Sequence, residues 1–258
     1  IIIISGSGPF PDGEYFEYGW EELKKINAQI VDEHYYRSPE WFLENANRYD
    51  SYNRNGPKVF AGEYAAQSKG IAKESNENTW ECALSEAAFM TGLERNADMV
   101  VMTSYAPLFA HAEAWQWTPD LIWFNNLESY GTANYFVQKM YGNNPGTDLI
   151  KITEDGKDVT GQGDLYASAV KDTHSGEIIL KMVNTSQKEQ EINTSFTGVK
   201  TKSKAMRETL NSTQMNAVNS FESPENISPK RSEVKLSRGN LSTKLAPKSF
   251  TIFRIKTS

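Results

Sequence analysis

Strand-like and helix-like apolar patterns alternate through the first 141 residues. Ile1–Ser5 is a β-branched run that reads as a strand buried on both faces, with Gly6-Ser7-Gly8-Pro9 as the loop after it. Tyr15, Trp20, Leu23 and Ile26 suggest a helix over 14–27, and Ile30–Tyr36 is the next strand. Ser38 and Pro39 supply an N-cap and a proline at the first helical position, opening a helix through Trp41, Phe42 and Tyr49. Lys58–Tyr64 forms a third strand. Trp80, Ala83, Leu84, Ala87 and Ala88 then follow the spacing of an amphipathic helix. Met99–Ser104 is a fourth strand, and Tyr130–Tyr141 is the helix after it. Four β-α units predict a parallel sheet with helices outside.

The pattern changes at Gly142-Asn143-Asn144-Pro145-Gly146, a cluster of turn formers. Beyond it Tyr166–Val170, Glu177–Val183, Gln190–Phe196, Glu233–Leu236 and Ser249–Ile255 are short, partly alternating segments separated by Asn, Gly, Ser and Pro. They predict an antiparallel β-sandwich. Aromatic usage divides the chain at the same place: no Trp follows Trp123, and only Tyr166, Phe196, Phe221, Phe250 and Phe253 follow Tyr141. The reading is therefore α/β followed by all-β, with a first domain over 1–144 and a second over 145–258.

At 258 residues the chain can bury a sizeable core, and 38% hydrophobic with 23% charged residues describes a globular protein. A net charge of −6 gives no general attraction to nucleic acid or to anionic membranes. Cys82 is the single cysteine and cannot form an internal disulfide. No apolar run approaches the roughly 20 residues of a membrane helix. His34, His111 and His174 are too dispersed for a zinc motif, so no metal site is expected. Gly6-Ser7-Gly8 lacks the third glycine of a dinucleotide fingerprint. Glu14, Glu17, Glu21 and Glu22 read as a solvated helix face. A buried strand at Ile1–Ile4 needs neighbours on both sides, so the sequence is expected to be part of a longer protein.

In parallel β-α architectures function concentrates at the carboxyl ends of strands. Those ends carry Asp32-Glu33-His34-Tyr35-Tyr36, Gly62-Glu63-Tyr64 and Thr103-Ser104-Tyr105. Glu63 emerges from Val59-Phe60-Ala61-Gly62, and by position alone it is either a functional carboxylate or an ordinary solvent-facing strand end. His34 and Tyr36 are two apart and share one face of a strand. They could orient that carboxylate, or they are a core histidine beside a packing tyrosine.

Several of these segments resemble the α-L-arabinofuranosidases of glycoside hydrolase family 51. They are Val31–Tyr36, Ser38–Phe42, Val59–Ala65, Ala87–Glu94, Val100–Phe109 and Trp117–Ile122. Leu245–Thr251 is similar to the last strand of that family's accessory sandwich. The likeness is strong over 1–141 and weak across the rest of the chain.

The resemblance implies an eight-stranded (β/α)8 TIM barrel joined to a β-sandwich, with this chain holding strands five to eight and the sandwich. It implies a retaining glycosidase with no cofactor, acting on arabinose-containing oligosaccharides or polysaccharides of the arabinan and arabinoxylan type. Glu63 stands at the nucleophile motif, and His34 and Tyr36 match the His-x-Tyr that supports the nucleophile and the sugar. The acid/base glutamate of the family follows an Asn on strand four, upstream of Ile1. Glu33, Glu113 and Glu128 do not stand at that motif. Trp115, Trp117 and Trp123 could pack against sugar rings, Trp117 being the expected substrate contact, or fill space between barrel and sandwich. Asn184, Asn193, Asn211, Asn226 and Asn240 begin glycosylation sequons, a match that a chain rich in Ser and Thr produces by chance. A related barrel glycosidase with another sugar specificity and a non-catalytic carbohydrate-binding scaffold remain as alternatives. A homo-oligomer is possible, no nucleic-acid or membrane partner is expected, and analogy favours a periplasmic or secreted location.

Overall fold

A computed structural model describes residues 1–257. The first half is built on a four-stranded parallel sheet in the order β1 (Ile4–Gly6), β2 (Ile30–Arg37), β3 (Lys58–Ala66), β4 (Val100–Thr103). The connections carry α1 (Glu14–Lys25), α2 (Pro39–Glu44) and α3 (Trp80–Arg95). Val31, Tyr35, Val59, Ala61 and Tyr64 are buried with Phe42 and Phe89 of the helices. Along β2 the residues between these, Asp32, His34 and Tyr36, share the opposite face. A small sheet of β5 (Phe109–His111), β6 (Ile122–Phe124) and β7 (Ser129–Gly131) leads into α4 (Ala133–Gly142).

The second half begins with β8 (Asp148–Ile150) and a short hairpin of β9 (Thr153–Glu154) and β10 (Lys157–Asp158). Six longer strands follow: β11 (Leu165–Asp172), β12 (Glu177–Asn184), β13 (Gln190–Thr194), β14 (Thr201–Asn211), β15 (Lys230–Ser237) and β16 (Asn240–Leu245). With β17 (Ser249–Thr257) and β8 they form one antiparallel sheet in the order β13-β16-β15-β14-β17-β12-β11-β8. Its residues alternate between two cores. Tyr166, Val170, Ile179, Val183, Phe250 and Ile252 join the core of the helices. Leu165, Ala167, Leu180, Met182, Phe253 and Ile255 form a second core with Leu236, Leu241 and Leu245.

Helix α3 lies where the halves meet. Thr79 caps it, its side chain accepting from the Cys82 amide. Every residue from Cys82 to Leu93 is buried, because the helix packs against α2, α4, β3, β11 and β12 at once. The amphipathic stripe expected here is thus only the most apolar part of a helix enclosed on all sides. At its far end the fully buried Lys181 ammonium pairs with Glu94 and donates to the Asn144 carbonyl at 2.8 Å. Tyr141 of α4 stacks on Phe250 of β17 with ring centroids 5.0 Å apart.

Other expectations need correction. Ile1–Ile4 is exposed, since among the described residues β1 pairs only with β2 and pairing begins at Ile4. The helix opened by Pro39 stops at Glu44, where Asn45 turns back on Trp41, and Tyr49 belongs to a separate 3-10 turn over Arg48–Ser51. Tyr130 is in β7, so the following helix starts at Ala133 behind the Thr132 cap. The sequence pattern predicts no strand at β5 to β10, β14 or β16. β14 buries only Ala205 and Leu210 among its 11 residues, so its polar sequence gives no strand signal. Asn184 is fully buried and donates to backbone carbonyls, which removes it as a glycan acceptor. Glu14, Glu17 and Glu21 are exposed as expected. No helix among the described residues is long and apolar enough to cross a membrane.

Candidate active site

The parallel pairing of β2 and β3 brings together three residues singled out from the sequence. Glu33 pairs with Ala61 and His34 with Glu63, so Gly62 is an extra residue bulged from β3. The bulge places Glu63 directly beside His34. Tyr36, two residues on, donates its hydroxyl to Glu63 Oε2 at 2.7 Å, and His34 Nδ1 lies 3.4 Å from the same oxygen. The Glu63 side chain remains 43% exposed, so its other oxygen is open to a ligand.

Burial, helped by the hydrogen bond to Glu63, raises the Tyr36 phenol well above its ordinary value. The phenol therefore stays protonated and acts as a permanent donor to the carboxylate. A carboxylate so held is oriented and accessible, which suits a nucleophile.

Two further carboxylates belong to this group, and the sequence assigns neither a role. Asp32 Oδ2 lies 3.0 Å from His34 Nε2. Asp32, His34 and Tyr36 are spaced i, i+2, i+4, so the alternation that linked the last two already included the first. Asp120, in the segment between β5 and β6, is almost wholly buried, and burial pushes its carboxyl up to about 6. Its charge is among the influences on Tyr36, and no sequence pattern announces it.

The remaining acidic residues fall away from this group. Glu33 points to the opposite face of the sheet, completely buried. There it accepts from Trp20 Nε1 at 2.8 Å, Tyr49 at 2.9 Å, Tyr52 at 3.0 Å and also from Tyr35. With Arg48 beside it, this carboxylate is fully employed in the core. Glu113 and Glu128 are exposed on the loops around the small sheet. Trp117 is half-exposed and makes no hydrogen bond or ring contact with Glu63, His34 or Tyr36, while Trp115 packs edge-on to Trp123. Among the described residues no cluster of His, Cys, Asp and Glu has the arrangement of a metal site.

Comparison with known proteins gives a consistent result. Residues 62–249 match the family described as alpha-L-arabinofuranosidase C-terminal domain. The chain is 53% identical over 150 residues to an extracellular exo-alpha-L-arabinofuranosidase of Streptomyces chartreusis, an alignment covering 58% of this chain and 17% of that protein. It is 34% identical over 232 residues to alpha-L-arabinofuranosidase 1 of Arabidopsis thaliana, covering 88% of this chain and 33% of the relative. The solved structure of an arabinose-bound family 51 α-L-arabinofuranosidase superimposes with a TM-score of 0.86 at 28% identity, over 100% of this chain and 40% of that one. The chain thus spans a third or less of the length of these two curated relatives.

Proposed function

Since the chain belongs to the α-L-arabinofuranosidase C-terminal domain family, within glycoside hydrolase family 51, we propose that it supplies the nucleophile half of a retaining arabinofuranosidase. In this reading residues 1–144 are strands five to eight of a (β/α)8 barrel, and residues 145–258 are the accessory β-sandwich. The parallel order β1-β2-β3-β4 and the two-sided antiparallel sheet support that assignment. The observation that carries the function is the Tyr36 hydrogen bond to an exposed Glu63 carboxylate at 2.7 Å.

Glu63 attacks the anomeric carbon of a terminal α-L-arabinofuranosyl residue. An acid/base carboxyl from the upstream part of the barrel, about 5–5.5 Å from Glu63, protonates the departing oxygen. Water, deprotonated by the same acid/base, then releases the sugar from Glu63 with retained configuration. Tyr36 and His34 hold the attacking oxygen and the ring, and Trp117 lines the rim of the cleft with an aromatic face. The natural substrates are arabinose-bearing polysaccharides or oligosaccharides.

The test is made in the full-length polypeptide that carries this chain. Glu63→Gln lowers turnover of an aryl α-L-arabinofuranoside by several orders of magnitude, because the covalent route is lost. Near-normal turnover by folded Glu63→Gln protein removes Glu63 from the mechanism. Faster turnover of another aryl glycoside by the parent overturns the choice of sugar alone.

A further inference from the structure

We propose that Asp32 is a positioning residue for the Glu63 carboxylate, acting through the His34 ring; the inference rests on Glu63 being the nucleophile. His34 lies between two carboxylates. Nε2 is 3.0 Å from Asp32 Oδ2 and Nδ1 is 3.4 Å from Glu63 Oε2. The torsion that turns an imidazole about its Cβ–Cγ bond is broad and weakly restrained. The contact of Nδ1 with Glu63 is too long to fix that angle alone. The shorter contact to Asp32 does so, and it determines which ring edge Glu63 meets. Both ring nitrogens face carboxylate oxygens.

Among the described residues the Asp32 side chain has no hydrogen-bond partner besides His34. Among the described residues its second oxygen, Oδ1, is buried with no hydrogen-bond partner. A carboxylate serving only packing or stability is ordinarily satisfied at both oxygens, because an unpaired buried acceptor is costly. Glu33, next in sequence on the other face, shows what a satisfied structural carboxylate looks like in this sheet.

The bulge in β3 serves the same arrangement. A Cβ at Gly62 would lie 2.1 Å from Asp32 Oδ1. Glycine at this position therefore does two things. It inserts the extra residue that turns Glu63 toward His34, and it leaves the volume that the Asp32 carboxylate occupies. Asp32, His34, Gly62 and Glu63 are one device spread over two strands.

The experiment compares variants of the full-length polypeptide on an aryl α-L-arabinofuranoside, each checked for folding by its thermal melt. Asp32→Asn lowers kcat about 10- to 100-fold while KM stays within about twofold, since the residue acts on the nucleophile and not on ground-state binding. The double variant Asp32→Asn/His34→Ala is no slower than His34→Ala alone, because Asp32 acts only through that ring. Gly62→Ala leaves every charge in place and lowers kcat similarly by displacing the Asp32 carboxylate. Asp32→Asn or folded Gly62→Ala with parental kcat overturns the proposal. So do losses that multiply in the double variant, which would make Asp32 independent of His34. If Glu63→Gln retains turnover, the nucleophile reading itself fails. If Glu63→Gln is inactive but Asp32→Asn is not impaired, only the role of Asp32 fails.

Discussion

Tyr36 and Glu63 are 27 positions apart in the chain, yet the Tyr36 hydroxyl donates to Glu63 Oε2 at 2.7 Å. The contact exists because β2 and β3 are parallel neighbours and a one-residue bulge shifts their register just before it. A donor held neutral by burial orients the open carboxylate beside it, and the worth of that contact can be measured.

Replacing Tyr36 by Phe, or His34 by Ala, in the full-length polypeptide should weaken transition-state stabilisation by about 1–3 kcal/mol, the scale of a hydrogen bond to a charged group. The fold should survive both changes. His34→Ala protein that precipitates, yet shows parental specific activity in its soluble fraction, would make His34 a core histidine.

Gly92 fixes the approach of α3 to the segment after α2. A Cβ there would lie 1.9 Å from the Ala46 carbonyl oxygen, a backbone atom that cannot swing aside. Gly92→Ala should destabilise the chain by about 3 kcal/mol or more, at the upper end of overpacking costs. Urea unfolding measures this, and an unchanged midpoint would refute the tight contact.

The Lys181–Glu94 pair joins the antiparallel sheet to α3. Burial lowers the lysine pKa while Glu94 opposes the shift. Lys181→Met alone should cost about 3 kcal/mol, since it strands the Glu94 carboxylate. Changing both residues to apolar ones should cost less than the single change, as judged by urea midpoints. Additive losses would count against a coupled pair.

Glu86 in α3 is fully buried and accepts from the Ala66 amide at 2.8 Å. Burial raises its carboxyl to about 8. The folded state thus keeps a proton that the unfolded chain releases from about pH 4.5 upward, so stability falls as pH rises across that window up to about 8. Glu86→Gln cannot ionise. Its melting temperature relative to the parent should rise steadily between pH 5 and about 8. A constant difference would show that Glu86 ionises normally.

The outer strands β1 and β4 leave the parallel sheet with two open edges, and Ile1–Ile4, Val101 and Met102 are exposed near them. Open apolar edges invite pairing with a second chain. The isolated 258-residue chain should sediment as a self-associated species and show no significant activity on natural arabinosides. A monodisperse, active monomer would contradict the assignment of these strands to barrel positions five to eight.

Local chemistry was legible in the sequence wherever it was repeated along one element. The parallel strands announce themselves by their apolar runs, and α1 by its apolar spacing. The likeness of Val59–Ala65 to a known motif points to Glu63, and the two-residue spacing on β2 puts His34 and Tyr36 on one face. Strand β14 could not be read this way, because Lys202, Ser203 and Lys204 are exposed and its pairing partners lie far along the chain. Nor could the all-round burial of α3, since only tertiary packing decides whether the polar side of a helix meets water or another layer. The roles of Asp32 and Glu33 illustrate the division. Adjacent in sequence and equal in charge, they point to opposite faces of one strand, and among the described residues Glu33 is saturated by donors while the Asp32 side chain meets His34 alone. Alternation assigns the faces from sequence alone, but the donors on each face come from other elements, and only the folded chain brings them there.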